Sequence, residues 1–215
     1  MAWAEQLQSV NWFQATSCAL GAYLLGGVAT GYYLVRARAG RDIRDFGSGS
    51  TGARNVGRLL GRSGFGLTVL GDFGKGALAV GSTLAWIHDY HLAALAMLAV
   101  VAGHIWPVTL RFRGGKGVAT SLGALLVFDY RLALTFAALF LAGFILTRKS
   151  TLPGMFAFAC LPLAGWWFDP DGRMAMLIVV LSAMILFAHR KNLIEEIVVL
   201  SVRRPAGPKP ESSKL

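Results

Sequence analysis

Residues 92–110 read LAALAMLAVVAGHIWPVTL, with no Asp, Glu, Lys or Arg, and the chain then passes at once into RFRGGKG, residues 111–117. A run of this length suits a bilayer, which needs roughly 17–25 mostly apolar residues for each helix that crosses it. Working outward, comparable apolar runs lie at 14–35, 64–87, 117–128, 130–147, 151–168 and 173–189. The run at 117–128 is short enough to be re-entrant or steeply embedded, and the one at 64–87 is interrupted by Asp72 and Lys75. The composition agrees: 55% of the 215 residues are hydrophobic and 15% are charged, against about 25% charged in soluble domains. Mean hydropathy is +0.55. Such a chain has too little polar surface to cover a soluble core, so the expected class is an all-α integral membrane protein.

The formal net charge is +10. A basic balance often marks nucleic-acid binding, but here the cations lie in short loops between apolar runs. That placement reads first as membrane orientation and second as anion binding, so membrane lipids are the expected surroundings and no nucleic acid is expected. One set of loops holds Arg36, Arg38, Arg41, Arg44, Arg54, Arg58 and Arg62, then Arg111, Arg113 and Lys116, then Arg148 and Lys149. The other set holds Glu5, Asp89, Asp129, Asp169 and Asp171, with Arg131 and Arg173 as its cations. Short positive loops stay in the cytoplasm. The expectation is therefore seven transmembrane helices, with the N-terminus outside and the C-terminus cytoplasmic. The opening MAWAEQLQSVNWFQATSCAL lacks the basic region of a cleaved signal peptide and is expected to be retained. Residues 1–200 read as a single polytopic domain, and 201–215, rich in Pro and charge, as a disordered basic tail. Cys18 and Cys160 both sit in apolar runs, which leaves neither a disulfide framework nor a CxxC metal site.

Four polar stretches interrupt the apolar pattern. Gly47–Arg58 reads GSGSTGARNVGR. Gly47, Gly49 and Gly52 let backbone amides converge on an anion with no side chain in the way. Ser48, Ser50 and Thr51 add hydroxyl donors, while Arg54 and Arg58 add charge-assisted ones. No GK[ST] follows, so this is not a nucleotide-triphosphate loop. The same stretch also reads as a flexible linker with topology-setting arginines. Gly71–Gly76, GDFGKG, places Asp72 and Lys75 three apart inside an apolar run, where they can share a helix face and pair. Each ionisable group at membrane depth costs roughly 2.5–3.5 kcal/mol on insertion scales and is usually paired. Gly74 and Gly76 permit a close helix approach or a break.

Gly103–Ser121, GHIWPVTLRFRGGKGVATS, leaves one helix at His104 and crosses Gly114, Gly115, Lys116 and Gly117 into the next. Backbone amides before a helix N-terminus, with a lysine among them, make an anion site. A Gly-rich turn with snorkelling cations is the plainer reading, and His104 by itself reads as an interior histidine. Finally, AHRKNLIEE at 188–196 sets His189 and Asn192 on one helical face as the last span leaves the membrane, where they could orient a phosphate. No Ser–His–Asp order, HExxH or metal-ligand spacing is present.

GSGSTGARNVGR, the D-x-x-K-G at Asp72–Gly76, GHIWPVTLRFRGGKGVATS and the H-x-x-N at His189–Asn192 come in this order at separations that resemble the bacterial acyl-phosphate-dependent glycerol-3-phosphate acyltransferases, the PlsY type. The likeness covers about residues 14–200, and the GH…P…F-x-GGKGVAT segment is its most specific part. It implies a seven-span enzyme of the bacterial inner membrane with its active site facing the cytoplasm. Such an enzyme transfers an acyl chain from acyl phosphate to the 1-hydroxyl of sn-glycerol 3-phosphate, giving 1-acylglycerol 3-phosphate and phosphate, the first step of phospholipid biosynthesis. The family uses no metal and no cofactor. Its loop serine falls on Ser48, its arginine on Arg58, its Gly-Gly-Lys lysine on Lys116, and its late histidine and asparagine on His189 and Asn192. Gly47, Gly49, Ser50, Thr51, Gly52, Arg54, Asn55, Gly114, Gly115 and Gly117 would hold phosphate, with Asp72, Lys75 and His104 as polar support.

Two positions depart from the family's GSGNxGATN: Ser50 replaces an asparagine and Arg54 a threonine. Arg54 adds length and charge to the loop. The competing readings are a small organic-phosphate transporter, favoured by the depth of Asp72 and Lys75, and an inactive family member with a scaffold role.

Overall fold

The computed structural model describes residues 11–202. Nine helices account for most of them: α1 Trp12–Gly27, α2 Thr30–Ala39, α3 Ala53–Trp86, α4 Tyr90–Ile105, α5 Val118–Phe128, α6 Tyr130–Thr147, α7 Thr151–Phe168, α8 Arg173–Ala188 and α9 Arg190–Val202. Two 3-10 turns, Ile43–Asp45 and Val108–Leu110, punctuate the polar loops, and there is no strand among the described residues. The expected tail at 201–215 falls outside the described residues, except that Ser201 and Val202 belong to the last turn of α9.

Helix starts follow from the sequence. The side chains of Asn11, Asp89 and Asp129 accept first-turn backbone N–H groups at the heads of α1, α4 and α6, as N-caps do. α3 breaks at Gly61, whose φ of 70° and ψ of −161° are open to glycine. A shorter piece bearing Arg54 and Arg58 thus precedes a long one starting at Arg62. The expected runs at 130–147 and 151–168 coincide with α6 and α7.

By length and composition, Trp12–Ala39, Tyr90–Leu110, Tyr130–Thr147 and Thr151–Phe168 can each cross a membrane. Arg173–Ala188 with Arg190–Glu196, bent by 63°, makes a fifth if counted as one span, and Val118–Phe128 is a shorter apolar helix. The charge-bearing α3 lies outside that set.

Two glycine seams set the helix arrangement. A Cβ on Gly26 would overlap the Val100 carbonyl oxygen, and one on Gly103 would overlap that of Tyr23, so α1 and α4 touch backbone to backbone. The same reciprocal contact joins α3 to α5, where Gly76 meets the Thr120 carbonyl and Gly123 that of Phe73. Small residues at such seams let helices approach closely where lipid supplies no hydrophobic drive. Both pairs run parallel: Cys18 meets Leu92 and Gly27 meets Pro107, while Gly76 meets Thr120 and Gly81 meets Val127.

The main apolar core joins α4, α5, α7 and α8 through Met97, Val101, Leu125, Phe158, Leu181 and Ile185. A smaller cluster of Val35, Ile43 and Val56 packs beneath the 47–52 loop. Trp12, Leu70, Trp86, Leu146, Leu163 and Trp167 are largely exposed, the outward apolar surface that acyl chains rather than water would cover.

Candidate functional site

The 47–52 loop is shaped by Asn55. This buried side chain (3% exposed) donates from Nδ2 to the carbonyls of Ile43 (3.1 Å), Phe46 (2.9 Å) and Ser50 (2.9 Å), and its Oδ1 accepts the Ser48 N–H at 3.1 Å. Its amide is thus engaged by the loop itself, where the sequence placed Asn55 among the phosphate-binding residues. Ser50 is likewise used locally, its Oγ accepting the Gly52 N–H at 3.2 Å. Thr51 is buried and its N–H donates to the Gly114 carbonyl at 3.3 Å, tying this loop to the 114–117 turn. Gly47 and Gly49 take positive φ, 54° and 66°. A Cβ on Gly47 would stand 3.2 Å from Arg58 Nη1, so the Arg58 guanidinium lies against the loop. Ser48 is exposed at its tip.

The second segment differs from expectation in which amides it offers. Gly114 N–H donates to the Ile105 carbonyl (3.2 Å) and Gly115 N–H to the His104 carbonyl (3.0 Å). These two amides cap the last carbonyls of α4 and are not open to an anion. The first helical bond of α5 runs from Ser121 N–H to the Gly117 carbonyl, and Gly117, at φ 85°, caps the helix with no side-chain bond. The amides at 118–120 are therefore the first-turn donors at this terminus. Lys116 reaches across the turn, and its Nζ donates to Asn192 Oδ1.

His189 closes α8, and the chain bends by 63° into α9. His189 and Asn192 therefore flank a bend instead of sharing one helix face. His189 is buried, with Nδ1 2.9 Å from the Ile185 carbonyl. A carbonyl only accepts, so Nδ1 carries the proton there and Nε2 is left as the second ring nitrogen. The ring lies within electrostatic reach of Lys116 and Arg54. Burial, then the Arg54 guanidinium, push the Lys116 amine below the usual lysine range; Glu195 pulls it up and Arg58 adds a further downward push.

Arg54, Arg58, Lys116, His189 and Asn192 thus gather from α3, the 114–117 turn and the α8–α9 bend. Arg54 also donates to Thr151 Oγ1 at the head of α7, at 3.0 Å. A cleft of about 340 Å³ beside them is lined by Arg54, Gly57, Arg58, Gly61, Arg62 and Phe65. Asp72 (2% exposed), Lys75 (6%) and His104 (3%) lie deeper. Lys75 Nζ is 3.1 Å from Asp72 Oδ1, and His104 Nδ1 is 3.6 Å from the same oxygen. The expected Asp72–Lys75 pairing is present, and Gly76, not Gly74, makes the close helix approach.

Sequence reasoning missed several parts. Arg44 pairs with Asp42 at 2.6 Å, donates to the Leu110 carbonyl at 2.8 Å and lies 5.1 Å over the Tyr32 ring, joining the polar loops. The D-x-R spacing at Asp42–Arg44 was the available signal. Nothing in the sequence singled out Thr151. Among the described residues no cluster of three or more His, Cys, Asp or Glu could hold a metal ion.

The fold and the site define a helical membrane protein with a cationic, loop-built pocket at one end of its bundle. The sequence profile described as glycerol-3-phosphate acyltransferase matches residues 16–198. A glycerol-3-phosphate acyltransferase 1 of Desulfitobacterium hafniense (strain Y51) is 46% identical over 185 residues, covering 86% of this chain and 92% of its own. A glycerol-3-phosphate acyltransferase of Laribacter hongkongensis (strain HLHK9) is 42% identical, covering 80% and 88%. The crystal structure of PlsY, an integral membrane glycerol 3-phosphate acyltransferase, is similar in its glycerol 3-phosphate form with a TM-score of 0.77 and 31% identity, over 86% of this chain and 92% of that one. Its lysophosphatidic acid form gives 0.74 and 30% over the same shares. The chain belongs to the glycerol-3-phosphate acyltransferase family.

Proposed function

We propose that the protein transfers an acyl chain from acyl phosphate to the 1-hydroxyl of sn-glycerol 3-phosphate, at the cytoplasmic face of the bacterial inner membrane. The carbonyl carbon forms a bond to the glycerol oxygen and releases phosphate. Phosphate is a good leaving group, so the protein's task is to position two anions and stabilise charge developing on the carbonyl oxygen and the departing phosphate. The observation that carries this reading is the gathering of Arg54, Arg58, Lys116, His189 and Asn192, with Arg58 against the 47–52 loop, in a member of this family. Cationic donors surround the site, and no nucleophile–base pair of the Ser–His kind occurs among the described hydrogen bonds. The hydroxyl proton passes to an oxygen of the acyl phosphate.

Ser48 and Arg58 act on one phosphate, Lys116 and the first-turn amides of α5 on the other, and His189 with Asn192 orients the acceptor. Arg54 adds charge where the family has threonine. The site needs no cofactor.

The chain crosses the bilayer seven times, with α1–α2, α3, α4, α5, α6, α7 and α8 as the spans, the N-terminus outside and the C-terminus inside. The parallel runs of α1 with α4 and of α3 with α5 support this alternation. Aromatic residues at the opposite ends of the helices, Trp12, Trp86, Tyr90, Tyr130 and Trp167, support an outer interface there.

Purified protein in proteoliposomes, given acyl phosphate and labelled glycerol 3-phosphate, is expected to form lysophosphatidic acid and phosphate in equal amounts. Acyl-CoA should not replace the donor. Ser48→Ala and Lys116→Ala should each cut turnover without blocking insertion, and near-normal rates from both would sink the assignment.

A further inference from the structure

We infer that His104 and Asp72 are positioning residues that fix Lys116 through the Gly114–Gly115 turn; this rests on the acyltransfer reading above. His104 lies at the end of α4, and its Nδ1 faces Asp72 Oδ1 at 3.6 Å, an electrostatic approach, with no hydrogen-bond partner among the described residues. The opposite edge of the ring abuts the turn, where a Cβ on Gly115 would overlap His104 Nε2. The His104 backbone carbonyl accepts the Gly115 N–H at 3.0 Å, and Lys116 is the next residue. One imidazole therefore sets the turn from both its ring and its backbone.

Asp72 is held in turn. Lys75 is 3.1 Å from Asp72 Oδ1 and donates to the carbonyls of Gly26 and Val28, at 2.8 Å each, where α1 breaks into α2. Those carbonyls have lost helical partners at the break. The Gly114 carbonyl accepts the Thr51 N–H, so the 47–52 loop is referenced to the same turn. A Cβ on Gly31, in α2, would overlap the Thr51 carbonyl. The 114–117 turn and the 47–52 loop, together with the α1–α2 break, thus share one buried ionic anchor. An apolar trio of similar volume could fill the crossing without burying charge. It could not fix the direction in which the turn presents Lys116.

The test is steady-state acyl transfer in proteoliposomes with the full chain. His104→Ala is expected to lower kcat about tenfold and raise KM for glycerol 3-phosphate, with the thermal midpoint within a few degrees of wild type. His104→Asn, whose Nδ2 falls near the imidazole Nδ1, should recover at least half of the loss. Gly115→Ala, pressing on the ring from the other side, should reproduce the His104→Ala defect. In a Lys116→Ala background, His104→Ala should have no further effect, the signature of two residues acting as one unit. Should His104→Ala fail to fold, His104→Asn and Gly115→Ala carry the same comparison. An active wild type whose His104 and Gly115 variants keep kcat and KM within twofold overturns the proposal. So do losses that simply multiply with the loss from Lys116→Ala. A wild type that makes no lysophosphatidic acid instead sinks the acyltransfer reading.

Discussion

Replacing Asn55 with alanine should disable the site while leaving the bundle standing. Asn55 supplies two N–H donors, shared among the carbonyls of Ile43, Phe46 and Ser50, and one acceptor for the Ser48 N–H. At about 0.5–1.5 kcal/mol net per hydrogen bond, the loss of these four weakens the loop geometry by roughly 2–6 kcal/mol. The loop tip is open to water, which restores part of this, so about 2–3 kcal/mol is the expected remainder. That lowers the population of the working loop, and with it kcat/KM, by roughly 30- to 150-fold. Initial rates of lysophosphatidic acid formation in proteoliposomes measure this directly. Asn55→Asp should do no better, because its second oxygen would confront the three carbonyls it replaces a donor for. An Asn55→Ala protein that keeps kcat/KM within threefold would refute the assignment of Asn55 as the hub of the loop.

Four other outcomes are expected. Lys75→Met leaves Asp72 buried without its cation and should cost about 3–5 kcal/mol, with Asp72→Asn added to it recovering part; thermal unfolding in detergent reads both. Gly103→Val and Gly76→Val collide with facing carbonyl oxygens and should abolish folded yield by size-exclusion chromatography, whereas Gly21→Val, with open space around it, should be tolerated. Lys116 titrates below the ordinary 10.5, so turnover that needs its ammonium should fall as pH rises through that lowered value. Folding stability moves the other way: the depressed group costs stability at lower pH, and that cost is relieved as pH rises toward 10.5. Lys116→Arg should remove the alkaline loss of turnover. Arg54→Thr removes the bond to Thr151 and one cation beside Lys116; at about 1 kcal/mol for an exposed charge, KM for glycerol 3-phosphate should rise roughly fivefold in a pH-stat assay.

The helical class and most element positions were legible because long apolar runs have few alternatives to a helix in a bilayer. Boundaries at Tyr130 and Thr151 are marked by an aspartate cap and by a polar break. The site was legible as residue types but not as bonding. GGKG signals an anion-binding helix start. Yet whether Gly114 and Gly115 offer their amides depends on where α4 ends, a tertiary fact. Asn55 reads as a phosphate ligand by its place in the motif, while in the fold its bonds go to the loop's own backbone. The bend at His189 was invisible because H-R-K-N-L carries neither glycine nor proline.

The parallel glycine seams also govern when the protein can assemble. The parallel partners are not neighbours in the chain, so α1 waits for α4, and α3 for α5, with at least one other helix between each pair. At synthesis rates of about 5–20 residues per second, the stretch from Gly26 to Gly103 takes roughly 4–15 s to emerge. During that interval the Gly26 face of α1 has no backbone to meet, and α3 arrives with Asp72 and Lys75 before the carbonyl contacts of α5 exist. Closure then runs in a fixed order, the α1–α4 seam first and the α3–α5 seam second. The polar end of the bundle can be completed only after both.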